Sequence, residues 1–224
     1  MITSPTGAAL AAVSSPARSG KDPAVAAVLV LHGGSPDSVT PTQWRNLAIV
    51  RLWPVARVIA RAVPRVAVHR LRFSVRGWNG DGASAIADAR WALEQLRTLH
   101  PGLPIVVVGH SMGGRVAAQV GGDPDVAGLV LLAPWVPSGD PADQLGGVPV
   151  VIVQGGRDRS IPLATTEPWI AHAENAPATI SRTVLPWGEH TMLLRFWVWH
   201  RLAAAGVRTV LSQARMTVPE QRPD

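Results

Sequence analysis

The sequence predicts an α/β fold: a mostly parallel central sheet flanked by helices on both faces. Two observations carry this expectation. Short β-branched runs alternate along the chain with longer stretches of helical periodicity, the order that winds a parallel sheet through crossover helices. Most of the short runs are apolar at every position rather than at every second one, as strands covered on both faces must be. With 224 residues, 47% apolar and 16% charged, the chain can bury one core of this kind and has little left for a second domain.

In chain order, residues 8–13 have room for a single N-terminal strand, and 25–31 (VAAVLVL) is the first strong one. Residues 42–61 are helical by composition, with Pro54 expected to break or kink the helix after Trp53, because proline cannot donate to the carbonyl four residues back. Strand 66–73 follows. Helix 81–100 sets Ile86, Ala89, Leu93 and Leu96 on one face, with Arg90 and Glu94 on the other, until Pro101-Gly102 stops it. Runs 103–108 (LPIVVV), 126–132, 148–153 (VPVVIV) and 179–185 are the remaining strands, and 191–215 is the last helix. The expected organisation is one domain over 1–214 and a disordered tail over 215–224.

Composition closes several routes. There is no cysteine, hence no disulfide, no thiolate nucleophile and no cysteine-based metal site. No apolar run approaches the ~18 uncharged residues of a membrane-spanning helix. The short apolar stretch 7–13 has no basic residue ahead of it and makes a poor signal peptide, so a cytoplasmic location is expected. The net charge of +6 is unevenly spread. Residues 38–80 hold eight arginines (between Arg45 and Arg76) and no carboxylate, so the remainder is net negative. Such a segment suits either a solvated helix face or weak association with an anionic membrane surface. Basic and aromatic residues do not alternate as in a single-strand groove, and no nucleic acid is expected as a partner.

The chemistry concentrates in Val108-Gly109-His110-Ser111-Met112-Gly113-Gly114, between an apolar strand and a helix over 115–120. A serine there sits on a tight turn that projects its hydroxyl above the sheet edge. Gly109 and Gly113 flank it because a Cβ at either would clash where strand and helix converge. A serine hydroxyl needs a base, itself oriented by a third group. His190, in Pro186-Trp187-Gly188-Glu189-His190 after the last strand, is the candidate base. Asp158, in Gly155-Gly156-Arg157-Asp158-Arg159-Ser160-Ile161-Pro162 at a strand end, is the candidate acid, with Asp140 as the alternative. His32-Gly33-Gly34-Ser35 ends the first strong strand. The N–H of Gly34, with Ser35 second, and that of Met112 are the candidate oxyanion donors. His32 is expected to brace its loop, His110 to pack, and His172 and His200 to lie on helices. No GxGxxG follows a strand and no HExxH occurs, so neither a cofactor nor a metal is expected.

The segments HGG, GHSMG, GGRDRSIP and GEH, in this order over residues 25–211, resemble the α/β-hydrolase family, and Arg76-Gly77-Trp78-Asn79-Gly80 resembles the loop after the family's next strand. The resemblance implies Ser111 as nucleophile, His190 as base, Asp158 as its partner, and Gly34 and Met112 as oxyanion donors. Many members insert helices where this chain has only the thirteen residues 135–147. A small member without a lid is therefore expected, its site open, with Trp135, Trp187 and Trp78 near the rim binding substrate. The implied activity is hydrolysis of small-molecule carboxylic esters through an acyl-enzyme. A lysophospholipase, thioesterase or acyltransferase would use the same residues. A non-catalytic scaffold for partner binding is the alternative of another class.

Overall fold

The computed structural model describes residues 1–14, 23–176 and 178–217. Eight strands form one sheet: β1 (Ile2–Thr3), β2 (Ala9–Ser14), β3 (Ala26–Leu31), β4 (Val66–Arg72), β5 (Ile105–His110), β6 (Val126–Leu132), β7 (Pro149–Gly155) and β8 (Thr179–Leu185). Their spatial order is β1-β2-β4-β3-β5-β6-β7-β8. β1 pairs antiparallel with β2 and β2 with β4, while every other pair is parallel.

Helices α1 (Leu47–Ala62) and α5 (Phe196–Thr217) cover one face of the sheet. On the other lie α2 (Ala83–Leu99), α3 (Met112–Val120) and α4 (Leu163–Asn175). β3, β5 and β7 send alternate side chains into the two cores: Leu29, Val107 and Ile152 toward α2–α4, Val28, Val106 and Val153 toward α1 and α5. Burial on both sides is why these strands read as unbroken apolar runs. The chain leaves β3 for β4 on one side and returns to β5 on the other. The C-terminal ends of β3 and β5 therefore flank the switch point, the place where open α/β sheets form their sites.

Four expectations are corrected. The N-terminus is a hairpin, because Ile2 and Thr3 pair with Leu10 and Ala9 around a turn at Gly7 (φ 92°). α1 starts at Leu47 rather than at 42, since the backbone of 41–42 is held by the residues just after β4: Pro41 bridges Val75, and the Thr42 N–H donates to the Ser74 carbonyl. Pro54 sits inside a continuous α1. The carbonyl it leaves without a helical donor is that of Val50, which is exposed, so solvent can satisfy it. α5 starts at Phe196 because Met192 and Arg195 adopt positive φ (56° and 47°), which no helix accommodates.

At the C-terminus α5 runs on through Thr217, into the first residues of the expected tail, while 218–224 lie outside the described residues. Between Trp135 and Gly147 the only regular element is a 3-10 turn, Asp143–Leu145, so no helical lid is built there. Among the described residues no helix is long and apolar enough to cross a membrane.

Candidate active site

Ser111 forms the corner between β5 and α3, with φ 54° and ψ −121°. A non-glycine residue in this region costs roughly 1–3 kcal/mol, and the surrounding contacts hold it there. Its N–H donates to the Leu132 carbonyl at 3.1 Å, and its carbonyl accepts from the N–H groups of Gly114 (2.9 Å) and Trp135 (3.2 Å). The strand–helix approach is as tight as the glycines suggest. A Cβ on Gly109 would lie 2.2 Å from the Gly113 carbonyl oxygen, and one on Gly113 would lie 2.5 Å from those of Leu31 and His32.

The structure brings Ser111, His190 and Asp158 together from loops after β5, β8 and β7. His190 Nε2 lies 2.9 Å from Ser111 Oγ, and His190 Nδ1 lies 2.7 Å from Asp158 Oδ2. A carboxylate can only accept, so Nδ1–H donates to Asp158 and Nε2 is left to accept the serine proton. The second Asp158 oxygen accepts from the N–H groups of Ser160 (2.9 Å) and Ile161 (2.8 Å), which locks the carboxylate plane. A hydroxyl bonded to an imidazole that a carboxylate orients can be deprotonated as it attacks an electrophile.

Two glycines let the acid and base loops meet. A Cβ on Gly155 would stand 2.5 Å from the Gly188 carbonyl oxygen, and that carbonyl accepts the Arg157 N–H at 2.9 Å. Sequence reasoning had assigned no role to this contact. The visible signal was a glycine in each loop, three residues before Asp158 and two before His190. His110 contributes as well: its Nε2–H donates to the His190 carbonyl at 2.9 Å. Burial, reinforced by the neighbouring His190, pushes its pKa down to about 3, so it is neutral. His32 braces its loop, donating from Nδ1 to the Gly33 carbonyl (2.6 Å) and accepting the Phe73 N–H at Nε2 (3.1 Å). Burial lowers its pKa to about 4.

The Gly33-Gly34 turn packs on the elbow. A Cβ on Gly33 would be 3.2 Å from Ser111 Cβ, and one on Gly34 would be 2.5 Å from Met112 Sδ. Of the two donors considered in this loop, Ser35 is occupied, because its N–H donates to the Arg76 carbonyl at 3.0 Å. Among the described residues, the N–H groups of Gly34 and Met112 have no such backbone acceptor. A groove of about 540 Å³ opens beside Gly34, lined by residues that include Ser35, Thr42, Asn46, Leu47 and Arg76.

The three tryptophans proposed for the rim lie in different surroundings, Trp135 donating its backbone N–H to the Ser111 carbonyl. Trp78 is buried (3% exposed), with its indole N–H on the Gly80 carbonyl. It and Trp135 clasp the Arg115 guanidinium, at 3.9 and 4.7 Å from their ring centres. Trp187 packs partly buried against the α1–α5 core and under Arg195. None of the three lines the groove beside Gly34. Asp140, the alternative acid, is corrected outright. It takes a two-pronged bond from Arg115 (2.6 and 2.7 Å) and a third from Gln119, and among the described residues no histidine is its partner. Among the described residues, no three histidine or acidic side chains are grouped to hold a metal ion.

Comparisons with known proteins agree with this architecture. No curated protein matches the chain. Among solved structures, a protein of unknown function from Agrobacterium tumefaciens has 20% identity and a TM-score of 0.73, covering 98% of both chains. Est1E from Butyrivibrio proteoclasticus, solved with ferulic acid bound, has 13% identity and a TM-score of 0.69, covering 92% of this chain and 96% of its own. A serine hydrolase without a lid from Xanthomonas campestris has 19% identity and a TM-score of 0.62, covering 93% and 97%. At these identities the likeness is one of fold. The sequence profile described as the alpha/beta hydrolase family matches residues 28–222, nearly the whole chain, and the protein belongs to that family.

Proposed function

We infer that the protein is a serine hydrolase that cleaves carboxylic esters. The observation that carries this reading is the unbroken chain Ser111 Oγ–His190–Asp158, with both links at hydrogen-bond length. Ser111 Oγ attacks the ester carbonyl carbon as His190 Nε2 takes its proton. The carbonyl oxygen, now negative, is held by the N–H groups of Gly34 and Met112. His190 then protonates the departing alkoxide, leaving an acyl-Ser111. Water, deprotonated by His190 in turn, attacks the acyl carbon, and the carboxylic acid leaves as Ser111 regains its proton. Asp158 holds the imidazole in the tautomer that both half-reactions need and stabilises the imidazolium. The groove beside Gly34 is where one limb of the ester is held. Support from outside the chain comes from Est1E, a fold neighbour that binds ferulic acid, a carboxylic acid.

The test is intact-mass analysis after treatment with a fluorophosphonate, with Ser111→Ala and His190→Ala beside the wild type. One adduct on the wild type and none on Ser111→Ala is expected, followed by turnover of a panel of aryl and alkyl esters. An unlabelled wild type would overturn the reading in favour of a non-catalytic scaffold.

A further inference from the structure

Two carboxylate-free stretches of the chain are rich in arginine: 38–80, with eight, and 191–217, with four. The fold places their helices side by side. α1 and α5 share one core against the sheet, through Leu52, Val55 and Ile59 on one and Trp199, Ala203 and Val207 on the other, and Arg208 Nη1 donates to the Ala62 carbonyl. Their outer surface is thus cationic without internal compensation. Among the described residues, the arginines paired with Asp or Glu are Arg97, Arg115 and Arg182, none from either stretch.

The same surface carries most of the protein's exposed large apolar side chains. Of twelve among the described residues, seven belong here. Leu47, Val50 and Trp53 stand out from the first half of α1. Leu193, Leu194, Phe196 and Trp197 stand out just after His190. The positive φ at Met192 and Arg195 keeps Leu193 and Leu194 out of the helix, while Met192 itself stays buried. Further along, Arg57 and Arg61 of α1 and Arg70 of β4 line a hollow of about 390 Å³ with Trp53 and Ser14. In it, Arg70 Nε and Ser14 Oγ are buried without a hydrogen-bond partner among the described residues, and Arg57 stacks on the Trp53 ring at 4.5 Å.

We propose that the α1–α5 face docks on an anionic phospholipid surface. Leu47, Leu193, Phe196 and Trp197 enter the headgroup–acyl boundary, and the arginine hollow receives a lipid phosphate. A bilayer is the occupant that answers all three features together. Exposed leucines and aromatics partition into its interface, uncompensated arginines meet its negative surface potential, and the orphaned donors in the hollow match a phosphate's acceptor oxygens. A nucleic acid would leave the apolar side chains in water, and a second copy of the chain would oppose arginine to arginine. The docked face borders the groove beside Gly34 through Leu47, yet the proposal does not depend on ester hydrolysis.

The test is co-sedimentation of the intact protein with phosphatidylcholine vesicles, with and without phosphatidylglycerol, at low and high salt. Binding is expected only with phosphatidylglycerol and should weaken with salt. Arg57→Glu with Arg61→Glu should lower it by at least about tenfold. Phe196→Ser with Trp197→Ser should lower it while leaving its salt dependence unchanged. Arg90→Glu, exposed on α2 across the sheet, should leave it unchanged, and thermal melts establish that each variant is folded. Absence of binding to phosphatidylglycerol vesicles at low salt would overturn the proposal. So would equal loss with Arg90→Glu, or a dimer in solution that Phe196→Ser with Trp197→Ser dissociates. Duplex DNA bound in place of vesicles, with the same sensitivity to Arg57→Glu and Arg61→Glu, would overturn it as well.

Discussion

Asp140 and Asp158 make an instructive pair. Both follow the end of a sheet strand, β6 for one and β7 for the other, both are only 7% exposed, and both are fully hydrogen-bonded. Their surroundings give them opposite work. Asp158 is fixed by two backbone N–H groups and offers its other oxygen to the His190 imidazole. An imidazole is a partner that can gain or lose a proton. Asp140 faces a guanidinium on α3 that two tryptophan rings enclose, a partner that never loses its charge. The pair Arg115–Asp140 fixes the 135–147 connection to α3 just behind the elbow. One carboxylate orients an imidazole and the other ties a loop to a helix. The difference lies in the partner, not in the acid.

The largest effect expected from this contrast is on catalysis. In Asp158→Asn, the amide oxygen can keep the Ser160 and Ile161 N–H bonds, which turns the NH₂ toward His190 Nδ1. The imidazole must then accept at Nδ1 and carry its proton on Nε2, where it cannot take one from Ser111. We expect kcat for an ester to fall by ~10⁴ with little change in folding stability. An Asp158→Asn enzyme within tenfold of wild type would break the distinction.

Asp140→Ala should do the reverse. It leaves the Arg115 cation, 13% exposed, without a counter-charge, at an expected cost of about 3–5 kcal/mol in a urea titration. The folded fraction should retain most of its activity. The paired replacement Asp140→Leu with Arg115→Met removes both charges and should recover much of that loss. If it recovers nothing, the ion pair is not what holds the loop.

The smallest effect sharpens the base side of the comparison. His110 has a folded pKa of about 3, below its ordinary 6.5. Between these values the unfolded chain binds a proton that the folded one does not. Stability from this group is therefore fully present above pH 6.5 and lost as the pH falls toward 3. Its share of the slope is at most about 1.4 kcal/mol per pH unit. His110→Gln, which can still donate to the His190 carbonyl, should flatten the dependence of stability on pH below 6.5 while keeping much of the ester turnover. An unchanged slope would mean that His110 is not held neutral.

Much of the candidate site was legible because its requirements are local in sequence. The elbow needs glycines two residues either side of Ser111, and in the fold neither Gly109 nor Gly113 has room for a Cβ. The acid and base each needed only a strand end and a loop. The strands were legible for a similar reason, since burial on both faces leaves a composition that no other element shares. What the sequence could not assign depends on partners brought from far along the chain. Arg115 meets Asp140 across 25 positions and His110 meets the His190 carbonyl across 80. The start of α1 was decided by a hydrogen bond to a residue just after β4. That Trp78 and Trp135 pack on the Arg115 guanidinium of a neighbouring helix is likewise set by the fold. Sequence alone therefore determined the order of the elements and the residues able to do chemistry, because backbone sterics and two-sided burial act within a few residues. Only the tertiary structure decided which carboxylate meets the histidine, and that two carboxylate-free segments share one face, because a side chain's partner is chosen by packing between elements.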